Sequence, residues 1–326
     1  MSTILLVGGA GFIGSHLTKE LVKDGDTVVI FDAFLDFIDP DQSTYTTYLK
    51  ERLTWLKKLP NVKILRGDFR HKSHLNRVIQ EYKPDVVVQL AALPIATASN
   101  RFSEEAKTIN LDGTINILEC LRDASFVKRF VYTSSSMVYG HFQYSPADEK
   151  HPTEPIEVYG GTKLAGEILT KAYAKRFDLE YTIIRPSAVY GPTDCNRRVS
   201  QIFLEKAFKG EDVMMHGDGS SKLDFSFVED VAHGFYLAVK SPAAANETFN
   251  ITAGDAHSIK ELIDVLKKLV PEPGFNVGTK PTDEKRPERG TLSIENARKK
   301  LGYEPKVSFE EGMKIYVDFV RKMNIF

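Results

Sequence analysis

The chain has 326 residues, 42% hydrophobic and 27% charged, with a formal net charge of −1. That length allows a sizeable core and two lobes, and the near-neutral balance excludes a global field that would draw in nucleic acid or an anionic membrane. The two cysteines, Cys120 and Cys195, lie far apart without a CxxC pattern, which excludes a disulfide framework and a cysteine zinc site and fits a reducing compartment. The apolar start lacks a basic flank and is broken by glycines, so it reads as a core strand rather than a signal peptide. No stretch reaches the ~18 uninterrupted apolar residues of a membrane span. A cytoplasmic protein is expected.

In chain order, Ile4 to Val7 is the first strand, and it stops at Gly8-Gly9-Ala10-Gly11-Phe12-Ile13-Gly14, where a helical pattern begins. Gly8 suits a tight turn, Gly11 lets backbone approach a pyrophosphate, and Gly14 lets the helix pack closely on the strand. The phosphate charge would sit at a helix N-terminus. Val28–Phe31 is a second strand ending at the acid Asp32, near the expected spacing of ~20 residues. Tyr45–Leu59 is helical, Val62–Leu65 a strand ending at Gly67-Asp68, Leu75–Tyr82 helical, and Asp85–Leu90 a buried strand running into Ala91-Ala92. Glu104–Arg122 reads as one long helix, Arg129–Thr133 as a strand, Tyr159–Phe177 as a helix and Tyr181–Ile184 as a strand. This alternation implies a parallel sheet covered on both faces, with ligands at the C-terminal strand ends.

Beyond Tyr190 turns dominate. A strand and helix are expected within Asp224–Val239, a strand at Thr248–Ile251, and helices at His257–Leu269, Glu295–Leu301 and Phe309–Met323. Pro271–Gly290 is a charged, Pro-rich stretch. This part reads as a smaller lobe grown from the end of the sheet.

Tyr159 and Lys163 stand one helical turn apart on one face. A free tyrosine titrates near ~10, too high for a base at neutral pH. A neighbouring ammonium and an oxidised nicotinamide would lower that value. Thr133-Ser134-Ser135-Ser136-Met137 follows a strand directly, where hydroxyls would reach a ligand over the sheet edge. His71 and His74 are three apart with no third ligand, so no metal site is expected.

With these motifs in order, the chain resembles the extended short-chain dehydrogenase/reductase family, the nucleotide-sugar epimerases and dehydratases. The resemblance rests on Gly8-x-x-Gly11-x-x-Gly14, Gly67-Asp68, Leu90-Ala91-Ala92, Asn110-x-x-Gly113-Thr114-x-Asn116, Ser134-Ser135-Ser136, Tyr159-x-x-x-Lys163, Arg185-Pro186, Asp224-Phe225 and Arg286-Pro287, and covers nearly the whole chain. It implies a Rossmann-type doubly wound parallel sheet over residues 1–187, with 224–246 packing back onto it. A smaller C-terminal α/β lobe at 188–223 and 247–326 would bind the nucleotide sugar. NAD would be held by Gly8, Gly11, Phe12, Ile13, Gly14, Asp32, Asp68, Phe69, Leu90, Ala91, Ala92, Tyr159 and Lys163. Asp32 would bind the adenosine ribose and disfavour a 2′-phosphate. Ser135, Tyr159 and Lys163 would be catalytic, and Ser135, Ser136, Tyr159, Arg197, Arg198 and Arg286 would meet the nucleotide-diphosphate sugar.

The expected reaction is C4 epimerisation. Tyr159 takes a proton from the sugar hydroxyl, hydride passes to tightly held NAD, and the 4-keto sugar takes hydride back on its other face. Dehydratases, decarboxylases and 3,5-epimerases of the family carry an acid or a cysteine near Met137, which weakens those alternatives. A nucleotide-sugar reductase and a non-enzymatic NAD-sensing regulator remain alternatives. Leu223 stands where many relatives have a phosphate-binding arginine, and Ala188 where many have an asparagine. Arg197 or Arg198 is the expected substitute for the missing charge. The helices Glu104–Arg122 and Tyr159–Phe177 resemble the pair that makes a four-helix dimer interface, so a homodimer is expected.

Overall fold

The computed structural model describes residues 1–35, 43–94, 96–281 and 285–326. Strands β1 (Thr3–Val7), β2 (Thr27–Asp32), β3 (Val62–Arg66), β4 (Val86–Gln89), β5 (Arg129–Thr133) and β6 (Glu180–Pro186) belong to one sheet. The smaller lobe adds β7 (Val213–His216) and β8 (Lys222–Leu223), followed by β9 (Glu247–Ile251), β10 (His257–Ser258) and β11 (Val277–Lys280). The sheet order is β3-β2-β1-β4-β5-β6-β9, and every pairing in it is parallel. Strand β9 was expected in the smaller lobe. It is instead the seventh strand of the large sheet, with Thr248 opposite Ile183 and Phe249 opposite Ile184.

The apolar runs are continuous because both sheet faces are covered. Period-2 alternation sends Ile4, Leu6, Val28 and Ile30 to one face, where they meet the helices Phe12–Lys23 and Val228–Lys240 through Leu17, Leu21, Val231 and Phe235. Leu5, Val7, Val29 and Val87 face the other way, against Leu75 and Ile79 of Lys72–Tyr82 and Ile117 and Leu118 of Gly113–Leu121. The smaller lobe has its own core, in which Phe203, Leu262, Leu266, Met313 and Tyr316 come together. The strand order reverses between β1 and β4, so their C-terminal ends open a crevice.

Glu104–Arg122 is not one α-helix. Ser103–Ala106 is followed by a π-helical turn, Lys107–Asp112, and only then by Gly113–Leu121. The wider turn places Asn110 inside, where Oδ1 accepts from the Leu93 N–H at 2.7 Å and Nδ2 donates to Thr162 Oγ1 at 3.2 Å. Asn110 thus ties the segment after β4 to the helix carrying Tyr159. Apolar periodicity does not register such an insertion. His257–Ser258 pairs with β8 and the helix starts at Ile259, where Ser258 and Glu261 form a reciprocal capping box. The Pro-rich stretch contains β11, which lies parallel to β7. The strand expected at Asp224 is the preceding pair Lys222–Leu223.

Candidate active site

The crevice widens into a cavity of about 1170 Å³ lined by both lobes. Gly8, Gly11, Phe12, Ile13, Gly14, Asp32, Asp68, Phe69, Leu90, Ala91 and Ala92 all line its sheet side. Gly8 has φ +85, and a Cβ there would lie 2.5 Å from the Ala91 nitrogen, so only glycine lets β1 and β4 end side by side. A Cβ on Gly14 would meet the Gly9 backbone at 2.7 Å. The helix Phe12–Lys23 begins after Gly11 with no side-chain cap and no acid in its first turn. Its leading N–H groups therefore keep their attraction for an anion. That donor set fits a dinucleotide pyrophosphate.

The acids of this half are already engaged. Asp32 accepts from the Ala10 N–H at 3.0 Å and the Phe34 N–H at 2.8 Å, yet burial still raises its carboxyl above the ordinary value. Burial would also raise Asp68, but hydrogen bonds from Arg70, one at 2.6 Å, hold it below the usual range. The Phe69 side chain is buried against Gly113, where a Cβ would sit 2.2 Å from the ring.

On the other side of the crevice the structure brings Ser135, Tyr159 and Lys163 together. Ser135 ends the extended segment after β5, and its Oγ accepts from the Met137 N–H at 3.2 Å. Tyr159 and Lys163 lie on the helix Val158–Phe177 and are both buried. Lys163 Nζ donates to the Thr133 carbonyl at 2.7 Å and lies 5.9 Å from the Tyr159 ring centroid. Burial pushes Lys163 down to about 7, with the Glu167 charge opposing. Burial also raises the Tyr159 phenol, against the Arg198 charge and a hydrogen bond with Ser135. The phenol was expected below its ordinary value. In the protein alone burial dominates, and Lys163 spends its close hydrogen bond on Thr133 rather than on the phenol. The Thr133 hydroxyl is buried, lines the cavity and has no hydrogen-bond partner among the described residues.

Beneath these groups lies a polar network that sequence reading missed. Arg185 donates to both oxygens of Glu167, at 2.9 and 2.7 Å, and Ser134 Oγ donates to Glu167 Oε1 at 2.5 Å. Arg185 also donates to the Tyr139 hydroxyl, which donates to Asn250 Oδ1. The network joins the helix Val158–Phe177, the serine segment, β6 and β9. Glu167 lies one turn beyond Lys163, which is the only sequence signal for it.

Ser136, Met137, Ala188, Arg197, Arg198, Leu223 and Arg286, expected from the sequence on the substrate side, also line the cavity. Arg197 pairs with Glu205 at 3.1 Å, and Arg198 approaches Asp194 Oδ1 at 3.4 Å. Asp194 is fully buried, and burial raises its carboxyl. Arg289 also lines this wall and was not anticipated. Its Nε is buried without a hydrogen-bond partner among the described residues, and burial, with a contribution from Arg286, brings its guanidinium down to about 10. Cys195 is a buried thiol on the same wall, and Arg52 Nη1 points at its sulfur from 3.5 Å.

Comparison with known proteins agrees with this architecture. The sequence pattern of the NAD dependent epimerase/dehydratase family matches residues 4–252. A UDP-glucose 4-epimerase of Mycolicibacterium smegmatis is 32% identical over 324 residues, covering 97% of this chain and 98% of its own. The structure of a UDP-glucose 4-epimerase with UDP-glucose from Thermotoga maritima superposes with a TM-score of 0.86 at 31% identity, over 99% of each chain. That of a UDP-glucuronic acid 4-epimerase from Bacillus cereus, in complex with UDP-glucuronic acid and NAD, gives 0.90 at 27% identity over 98% and 99%. The chain belongs to the NAD dependent epimerase/dehydratase family, and its cofactor is NAD.

Proposed function

From that membership, we propose that the protein is a nucleotide-sugar 4-epimerase acting on a UDP-linked hexose. The observation that carries this reading is the side-chain set around Tyr159. It offers the Tyr159 phenol as the acid–base group, the Ser135 hydroxyl to hold the reacting oxygen, and, at Met137, a side chain that can neither add nor remove a proton. Elimination of water across a neighbouring carbon needs a second acid–base group at the sugar, whereas inversion at C4 does not. NAD, when bound at the glycine turn, supplies the hydride acceptor and donor. Tyr159 removes the proton from the C4 hydroxyl and returns it. Ser135 orients that oxygen, and the ammonium of Lys163 favours the phenolate. In this reading Asp32 meets the adenosine ribose, and the first turn of the helix after Gly11 meets the pyrophosphate. Arg286 meets the substrate phosphates.

The test is incubation with a panel of UDP-hexoses and NMR of the product sugar. An isomer of unchanged mass supports the reading, while loss of water or carbon dioxide, or consumption of added NADH, replaces it. The Tyr159→Phe variant should lose on the order of 10²–10⁴ in kcat while still binding NAD, and near-normal turnover would remove Tyr159 from its role.

The assembly belongs to the same proposal. Ile168, 60% exposed, and Phe177 lie on the outer side of Val158–Phe177, and Phe102 is exposed just before Ser103–Ala106. These apolar groups suit a homodimer formed through those helices. Light scattering after size exclusion decides it: a dimeric mass that Ile168→Glu reduces to the monomer supports the interface. No helix among the described residues is long and apolar enough to cross a membrane, and a cytoplasmic location is part of the proposal.

A further inference from the structure

The proposed chemistry needs Lys163 as an ammonium, yet the fold strips it of water and sets it against a neutral acceptor, the Thr133 carbonyl. Burial drives a lysine toward its neutral form. The groups packed around Lys163 do little to oppose this. On β5 the Tyr132 ring lies 5.3 Å from Nζ, and on its own helix the Tyr159 ring lies 5.9 Å away. Burial raises both phenols above their ordinary value, so neither offers a negative charge at neutral pH. Arg185 on β6 and Arg198 in the facing loop are cations. The charge that acts against burial at Lys163 is Glu167.

The geometry fixes that charge in place. Glu167 follows Lys163 by one helical turn, on the same face, and both are 1% exposed. A Cβ on Gly166 would lie 2.1 Å from the Tyr132 hydroxyl, and that hydroxyl donates to the Lys163 carbonyl at 3.3 Å. The helix therefore touches β5 at this turn, and the Glu167 side chain is pressed onto the sheet. There Arg185 takes both of its oxygens and Ser134 Oγ takes Oε1. Ser134 is itself tied down, its N–H donating to the Ile184 carbonyl at 2.7 Å. Tyr181 on β6 also feels the Glu167 charge, while Tyr139 and the Glu149 carbonyl lie beyond it on Arg185 Nη1.

A buried ion pair adds little net stability over an apolar pair of the same volume. Packing alone therefore does not account for Glu167, whereas a fixed negative charge one turn from Lys163 does. We infer that Glu167 is a positioning residue for the proton transfer at Tyr159: its carboxylate anchors the serine segment through Ser134 and keeps the ammonium of Lys163 in place beside the phenol. This inference rests on the proposed roles of Tyr159 and Lys163.

The test reads the charge of Lys163 directly, by carbon-13 NMR of ε-labelled lysine in the NAD-loaded protein, with the resonance assigned by its loss in Lys163→Met. In Glu167→Gln the titration of Lys163 should fall by about 1 pH unit or more, and Glu167→Asp should restore most of it. The alkaline limb of kcat/KM should move to lower pH by the same amount. A merely structural role would scale that profile without moving it. If Glu167→Gln does not fold, combining it with Arg185→Met leaves no unpaired buried cation, and the same fall is expected because the carboxylate is what acts on Lys163. Identical Lys163 titration in wild type and variant overturns the inference, whatever happens to kcat, and leaves the epimerase reading standing. If Lys163 shifts but the wild type epimerises no UDP-hexose, the coupling of Glu167 to Lys163 stands and the reaction assignment falls.

Discussion

Replacing Lys163 by Met should abolish activity and, in NAD-free protein at neutral pH, make the fold more stable. Lys163 is 1% exposed, and its ammonium donates to the Thr133 carbonyl. Burial takes the ammonium from 10.5 down to about 7. At 1.36 kcal/mol for each tenfold change in acidity, keeping Lys163 charged in the fold costs about 4–5 kcal/mol. Losing the bond and leaving the Thr133 carbonyl unpaired takes back about 1–3 kcal/mol. The net gain at pH 7 is therefore about 1–4 kcal/mol, a melting-temperature rise of a few degrees. The sign with pH follows from proton counts. Below about 7 both the folded and the unfolded chain carry the proton, and the wild type bears the full handicap. Between about 7 and 10.5 the unfolded chain binds more protons than the folded one, so wild-type stability rises with pH across that window. The advantage of Lys163→Met should accordingly shrink from pH 7 to pH 10. Thermal denaturation of both proteins across that range is the assay. A variant less stable at pH 7, or a difference that does not change with pH, would refute the claim that burial controls this lysine.

Glu167→Gln leaves Arg185 as a buried cation without its counter-charge, and should cost about 3–5 kcal/mol in denaturant unfolding. It should also lower the titration of Lys163 further, since the Glu167 charge now holds it up. The adjacent glycines of the helix Val158–Phe177 should separate cleanly. A Cβ on Gly161 meets nothing within 4 Å, so Gly161→Ala should stabilise by about 0.5–1 kcal/mol with normal turnover. A Cβ on Gly160 would lie 2.5 Å from the Met137 carbonyl oxygen, so Gly160→Ala should displace Tyr159 from the serine segment and depress kcat while NAD still binds. Equal behaviour of the two variants, measured by melting temperature and initial rate, would contradict this packing.

The parts of the site that were legible in the sequence are those fixed by strand ends. A buried parallel strand announces itself as an apolar run, and the topology then places whatever follows it in the crevice, which is why Gly8, Asp32, Ala91 and Ser135 line one cavity. Tyr159 and Lys163 add a spacing that a helix turns into one face. Charge is harder to read, because a cation on paper carries no sign of whether it is already neutralised. Arg197, Arg198, Arg286 and Arg289 look alike as letters. Arg289 stands in a charged, Pro-rich stretch that reads as solvated loop, and the lacing of residues 288–291 onto 141–147 brings it to the cavity wall. Arg197, set just before a helix and apparently available, meets Glu205 two turns later across a left-handed residue, with φ +53 at Arg197 itself. The same blindness hid the pairing of Glu167 with Arg185, 18 residues apart on a helix and a strand, which is a tertiary event. The Tyr159 phenol shows the consequence for chemistry. The motif names the proposed proton carrier, but burial raises its pKa and the Arg198 charge lowers it. Of those two, only the arginine is visible as a residue, and its distance from the phenol is set by the fold.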